Sequence, residues 1–190
     1  MARGNGEFSG GEFTGRAVGL LVAAVVTILT LVCPAPVRAA SFAAKDLEVL
    51  GRAIAFMQPP LAPDAIVAIA YVAGSADSRR DAEAIAALIG GGLRAGHTVL
   101  RPRIVDIGGL EVGGFQVVIA AAGANGAQLN TAARAAHALC VTTDVDAVRG
   151  GFCAMAITTE PRVEIIVNHA VAAAAGIEFA AAFRMMIQEM

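Results

Sequence analysis

Tryptophan is absent from this 190-residue chain, tyrosine occurs once, and Lys45 is the sole lysine. Interior volume must therefore be filled by small aliphatic side chains, alanine above all, at ordinary packing density. Charge is sparse as well: 16% of the residues are Asp, Glu, Lys or Arg, and the formal net charge is −2. Phosphate backbones are held by many clustered cations. Here cations gather only at Arg79-Arg80 and at Arg101 and Arg103, which argues against a nucleic-acid partner. What is abundant is apolar. At 57% hydrophobic, the chain is far from the composition of a disordered one.

Part of that apolar content sits in one charge-free run, residues 17–33, preceded by Arg16 and ended by Pro34. It falls short of the roughly 20 residues a membrane helix needs. Val37 and Ala39 then stand where an exported chain carries small residues ahead of its cleavage point. Residues 1–39 are accordingly expected to be a secretory signal cut near Ala39, leaving 40–190 as a single exported domain. An uncleaved N-terminal anchor is the alternative. Glu7 and Glu12 offset Arg3 and Arg16, which is unusual for the start of a signal. After removal of that segment two cysteines remain, Cys140 and Cys153. In an oxidising compartment they are expected to form a disulfide, two buried thiols being the alternative.

Helix and strand patterns alternate along residues 40–190. Leu47, Leu50, Ile54 and Met57 recur at helical spacing before Pro59-Pro60, and residues 66–72 form a continuous apolar run expected of a strand covered on both faces. Ser78 is expected to cap a helix carrying Ala82, Ile85 and Ile89 on one face, stopped by Gly90-Gly91-Gly92. Residues 97–105 read as an edge strand because Pro102 lies within them, and residues 115–121 as a buried one. Asn125 is placed as the cap of a helix over 127–138, with Gln128 completing a capping box. A short strand over 140–143 follows, then a hairpin of 152–158 and 162–167 around Thr159-Glu160-Pro161. Asn168 caps the next helix, Gly176 breaks it, and residues 177–190 read as a last helix. The expectation is an α/β fold: a single three-layer domain with a mainly parallel sheet and a C-terminal β-hairpin followed by helices.

A search for chemistry returns little. His97, His137 and His169 stand apart, without metal-ligand or triad spacing, so no catalytic, metal or cofactor residues are assigned. Gly123, Asn125 and Gly126, between a strand and a helix N-terminus, offer backbone N–H groups to an anion or small ligand. Asp144, with Asp146, falls at the carboxyl end of a strand, where open α/β sheets bind ligands. Ordinary turn chemistry is the competing reading at both places and the preferred one. On the last expected helix Phe179, Phe183, Met186 and Met190 share one stripe, either a core face or an adaptable partner surface, with core preferred.

From Leu47 onward the chain resembles the YfiR-like family of small periplasmic α/β proteins. The resemblance is carried by Thr142-Thr143-Asp144 before a loop and by the strand opened by Gly150-Gly151 and running through Phe152 to Ile157. Arg162 to Asn168 match the return strand ending in Asn, followed by Ala172 to Gly176 and an apolar segment. Phe56 and Pro59 match a Phe-x-x-Trp-Pro element in which Gln58 replaces the Trp. Relatives can carry two disulfides, whereas one pair is available here. The resemblance implies a non-enzymatic repressor that binds the periplasmic domain of an inner-membrane diguanylate cyclase, relieved by redox state or envelope stress. A homodimer is a further option. The alternative function is a periplasmic small-ligand-binding domain associated with a transporter, using the crevice around Gly123, Gly126 and Asp144.

Overall fold

The computed structural model describes Met1 and residues 41–190, apart from the side chains of Glu111 and Val112. The signal-peptide reading thus falls, Met1 aside, outside the described residues. The described elements begin with α1 (Ala44–Ile54), β1 (Met57–Gln58), β2 (Asp64–Tyr71), α2 (Ala76–Ile89), β3 (Leu93–Ala95) and β4 (Thr98–Asp106). A 3-10 turn (Ile107–Val112), β5 (Val117–Ala120), α3 (Ala127–Ala135), β6 (Leu139–Thr142) and α4 (Val145–Arg149) follow. The chain continues through β7 (Met155–Thr158), β8 (Glu164–Val167), α5 (His169–Ala174), β9 (Glu178–Phe179), α6 (Ala181–Arg184) and β10 (Gln188–Glu189).

Eight strands form one sheet in the order β10-β8-β7-β6-β5-β2-β4-β3. The run from β4 to β7 is parallel throughout, as the expected fold class requires. Within it β2, β5, β6 and β7 are almost wholly buried and apolar on both faces because both faces are covered, whereas β4 toward the edge exposes Arg101 and Arg103. Along β2, Val67 and Ile69 point to one layer and Ala68 and Ala70 to the other. The first layer holds α1 and α2 with Leu47, Leu50, Ala82, Ile85 and Ile89. The second holds the 3-10 turn and α3 with Leu110, Leu129, Ala132 and Ala133. Alanine on the second face lets these short elements sit close to the sheet. In α1, Gly51 is required for the same reason: a Cβ there would lie 2.6 Å from Arg94 O.

Pro102 does lie at an open edge. β3 pairs with β4 only from Thr98 to Leu100, so the outer side of β4 is uncovered where the missing N–H of Pro102 faces outward. The hairpin is also present, with β7 and β8 antiparallel from Met155↔Val167 to Thr158↔Glu164.

Four local expectations are corrected. Ser75, not Ser78, caps α2: its Oγ accepts from Ser78 N–H at 3.2 Å. Ser78 is buried instead, and its Oγ accepts from Val72 N–H at 3.0 Å. Gly126 rather than Asn125 holds the N-cap position of α3, without a side-chain cap bond. That helix also stops early, because His137 adopts a left-handed φ of 52° and Ala138 N–H closes back on Ala133 O at 2.8 Å. Residues 177–190 are not one helix. Phe179 belongs to β9, which pairs antiparallel with β1 at Met57, and only the short α6 follows before β10 adds to the edge of β8.

Candidate functional site

Within the parallel run the strand order reverses between β2 and β5, the place where open α/β sheets leave a crevice beyond their carboxyl ends. The loop after β5 borders it. Asp81 on α2 reaches across and accepts from Ala122 N–H at 2.8 Å, fixing the start of that loop. Gly123 then turns the chain with φ +75°, a conformation that favours glycine. The neighbouring strand β6 delivers Asp144 to the same end of the sheet.

The structure therefore brings Asn125 and Asp144 together, and it shows what each does. Asp144 is the N-cap of α4: Oδ1 accepts from Asp146 N–H at 2.9 Å and from Ala147 N–H at 3.2 Å. Its own N–H donates to Thr142 Oγ1 at 3.0 Å. Asn125 Nδ2 donates to Asp144 Oδ2 at 3.4 Å, a long bond between the two loops. Asn125 Oδ1 is out of contact with solvent and has no hydrogen-bond partner among the described residues. Turn chemistry thus accounts for Asp144, and Asn125 Oδ1 is left over as a buried side-chain acceptor at the crevice among the described residues.

Cys140 and Cys153 are disulfide-bonded, with Cα atoms 5.0 Å apart. Both are fully buried, in the layer that holds α3. Cys140 lies in β6 and Cys153 just ahead of β7, and Ala154 N–H donates to Cys140 O at 3.2 Å. The bridge ties the loop that carries Asp144 and α4 to the base of the sheet.

The stripe of four residues read near the chain's end is divided by the structure. Phe179 and Phe183 are core residues, 8% and 3% exposed. Phe183 stacks on Phe56 at 5.3 Å between ring centroids and meets Phe179 at 5.1 Å. Met186 and Met190 face solvent together with Met185. Glu189, beside them, has its carboxyl held below the usual glutamate range by hydrogen bonds from Arg184.

His97, His137 and His169 remain separate: His137 Nδ1 lies 3.3 Å from Ala175 O, and His169 opens α5. Among the described residues there is no group of three or more His, Cys, Asp or Glu able to hold a metal ion. No helix among them is long and apolar enough to cross a membrane.

One feature had no sequence signal. A cavity of about 360 Å³ opens between the 3-10 turn and α3, walled by Leu110, Gly113, Ala132 and Ala136, with Gln128 and Thr131 supplying polar atoms. It exists because α3 presents alanine where a larger side chain would fill the gap, and alanine-rich periodicity looks the same whether or not space is left. No protein-family model and no curated protein sequence matches the chain.

Proposed function

We infer that this chain is an exported regulatory protein, without catalysis of its own, that binds and inhibits a membrane diguanylate cyclase through the cyclase's periplasmic domain. The observation that carries the contact-based part is the cluster Met185, Met186 and Met190, exposed at 84%, 66% and 50% on one short segment. Methionine surfaces adapt to partner shapes, and apolar groups gathered on one segment mark interaction sites more often than scattered ones do. The buried disulfide is compatible with an oxidising compartment such as the periplasm. The identity of the partner rests on the YfiR-like resemblance of residues 142–176. Binding of the purified domain to the periplasmic domain of a candidate cyclase, measured by calorimetry, tests the reading. Met186→Glu is expected to weaken binding at least about tenfold, or ~1.4 kcal/mol, with the melting temperature unchanged. Undiminished binding by that variant would remove the surface from the account.

A small-ligand-binding role at the strand-end crevice is the second reading, and one observation favours it: Asn125 Oδ1 is buried without a partner. A metabolite that raises the melting temperature of the wild type but not of Asn125→Ala would move the assignment there.

A further inference from the structure

Residues 185–190 cross the outer edge of the sheet with little beneath them. β10 contributes two residues, Gln188 and Glu189, paired in parallel with Ile166 and Val167. Both are exposed, as are Met185, Met186 and Met190, and only Ile187 packs against the core. Under the segment lies a cavity of about 250 Å³ bordered by His169, Glu178, Phe179, Arg184 and Glu189. The segment is therefore held by polar contacts more than by burial. Met190 N–H donates to Val167 O at 3.0 Å, and His169 N–H donates to Met190 O at 3.1 Å. Arg184 Nε and Nη2, at the end of α6, donate to Glu189 Oε1 and Oε2 at 2.6 and 2.9 Å and tie the segment back to that helix. With its side chains 48% and 30% exposed, that ion pair is a weak tie.

We propose that residues 185–190 are a releasable strap. The strap leaves β8 as a unit while the rest of the sheet stays folded, and the Arg184–Glu189 pair is its latch. Its departure bares the outer N–H and C=O groups of β8, a row on which an extended segment of another chain can add as a strand. When seated, the strap fills that edge itself. The device is a property of this chain and stands whether or not the partner is a cyclase.

Amide hydrogen exchange of the full chain, resolved residue by residue by NMR, tests it. The informative amide is His169, which lies far from Met190 in sequence yet is bonded to it. Release as a unit frees both amides together, whereas Val171 N–H stays held by Asn168 Oδ1. Both are expected to exchange at least ~100-fold faster than Leu139 N–H, which donates to Gln116 O in the sheet interior. Arg184→Gln is expected to speed both by a further factor of about 3 or more, with Leu139 exchange and the melting temperature unchanged. Protection of His169 equal to that of Leu139 would overturn the proposal, as would wild-type exchange at both amides in Arg184→Gln. Fast exchange at Met190 beside slow exchange at His169 is simple end fraying and equally contradicts it.

Discussion

Asn168 uses both ends of its amide. Oδ1 caps α5 by accepting from Val171 N–H at 3.1 Å, and Nδ2 donates to Val148 O in α4 at 3.0 Å. Asn168→Ala loses the cap and one donor to Val148 O, which keeps Gly151 N–H at 3.1 Å, a combined cost of about 1–3 kcal/mol. Asn168→Asp keeps the cap acceptor but turns a carboxylate oxygen toward Val148 O, so it too is expected to destabilise, by about 1 kcal/mol or more. Urea unfolding of the two variants checks both values, and a neutral Asn168→Asp would show that the second bond contributes nothing. The cap was legible in the sequence, because Asn before an alanine-rich helix is a local signal. The bond to Val148 was not, since it joins residues 20 apart. Asn125 shows the converse: it carries the same cap chemistry, but the chain enters α3 one residue later and its side chain turns to Asp144 instead.

At the scale of elements, reading was reliable where one face of one helix or strand decided the matter. Ala82, Ile85 and Ile89 recur on α2, the central strands β2 and β5 are continuous apolar runs, and the hairpin stands where Thr159-Glu160-Pro161 placed it. It failed after Gly176. Phe179 and Phe183 are four residues apart, which reads as helix, yet their packing comes from a strand pairing with β1 and from a ring stack on Phe56. Distant partners set that geometry, and no local period reports it. The split of the stripe gives a paired prediction. Phe183→Ala empties a buried aromatic site and is expected to cost about 3–5 kcal/mol. Met186→Ala, at an exposed position, is expected to stay within about 0.5 kcal/mol of wild type. Chemical denaturation of both variants separates the two environments, and equal losses would mean that Met186 is packed like Phe183.

For the molecule as a whole, the sheet order and the disulfide organise the strand-end crevice beside β6 and the loop that follows it. Cys140 and Cys153 were readable as a pair from their number and context, and the structure gives them adjacent parallel strands to bridge. Removing the bond by Cys153→Ala is expected to cost about 2–5 kcal/mol, read as a lower denaturation midpoint against the oxidised wild type. An unchanged midpoint would show that packing alone holds the α4 loop. The proposed contact surface was far less legible, because such a surface needs no motif, only exposure, and exposure is a product of the finished fold. Under the proposed function this chain represses a cyclase from outside the cytoplasm. Cellular cyclic-di-GMP, measured with the gene deleted and then restored with or without residues 1–39, tests it most directly. Deletion is expected to raise it, the full-length gene to reverse the rise, and the version lacking residues 1–39 to leave it raised. Cyclic-di-GMP unchanged by deletion, or restored equally by both versions, would contradict it.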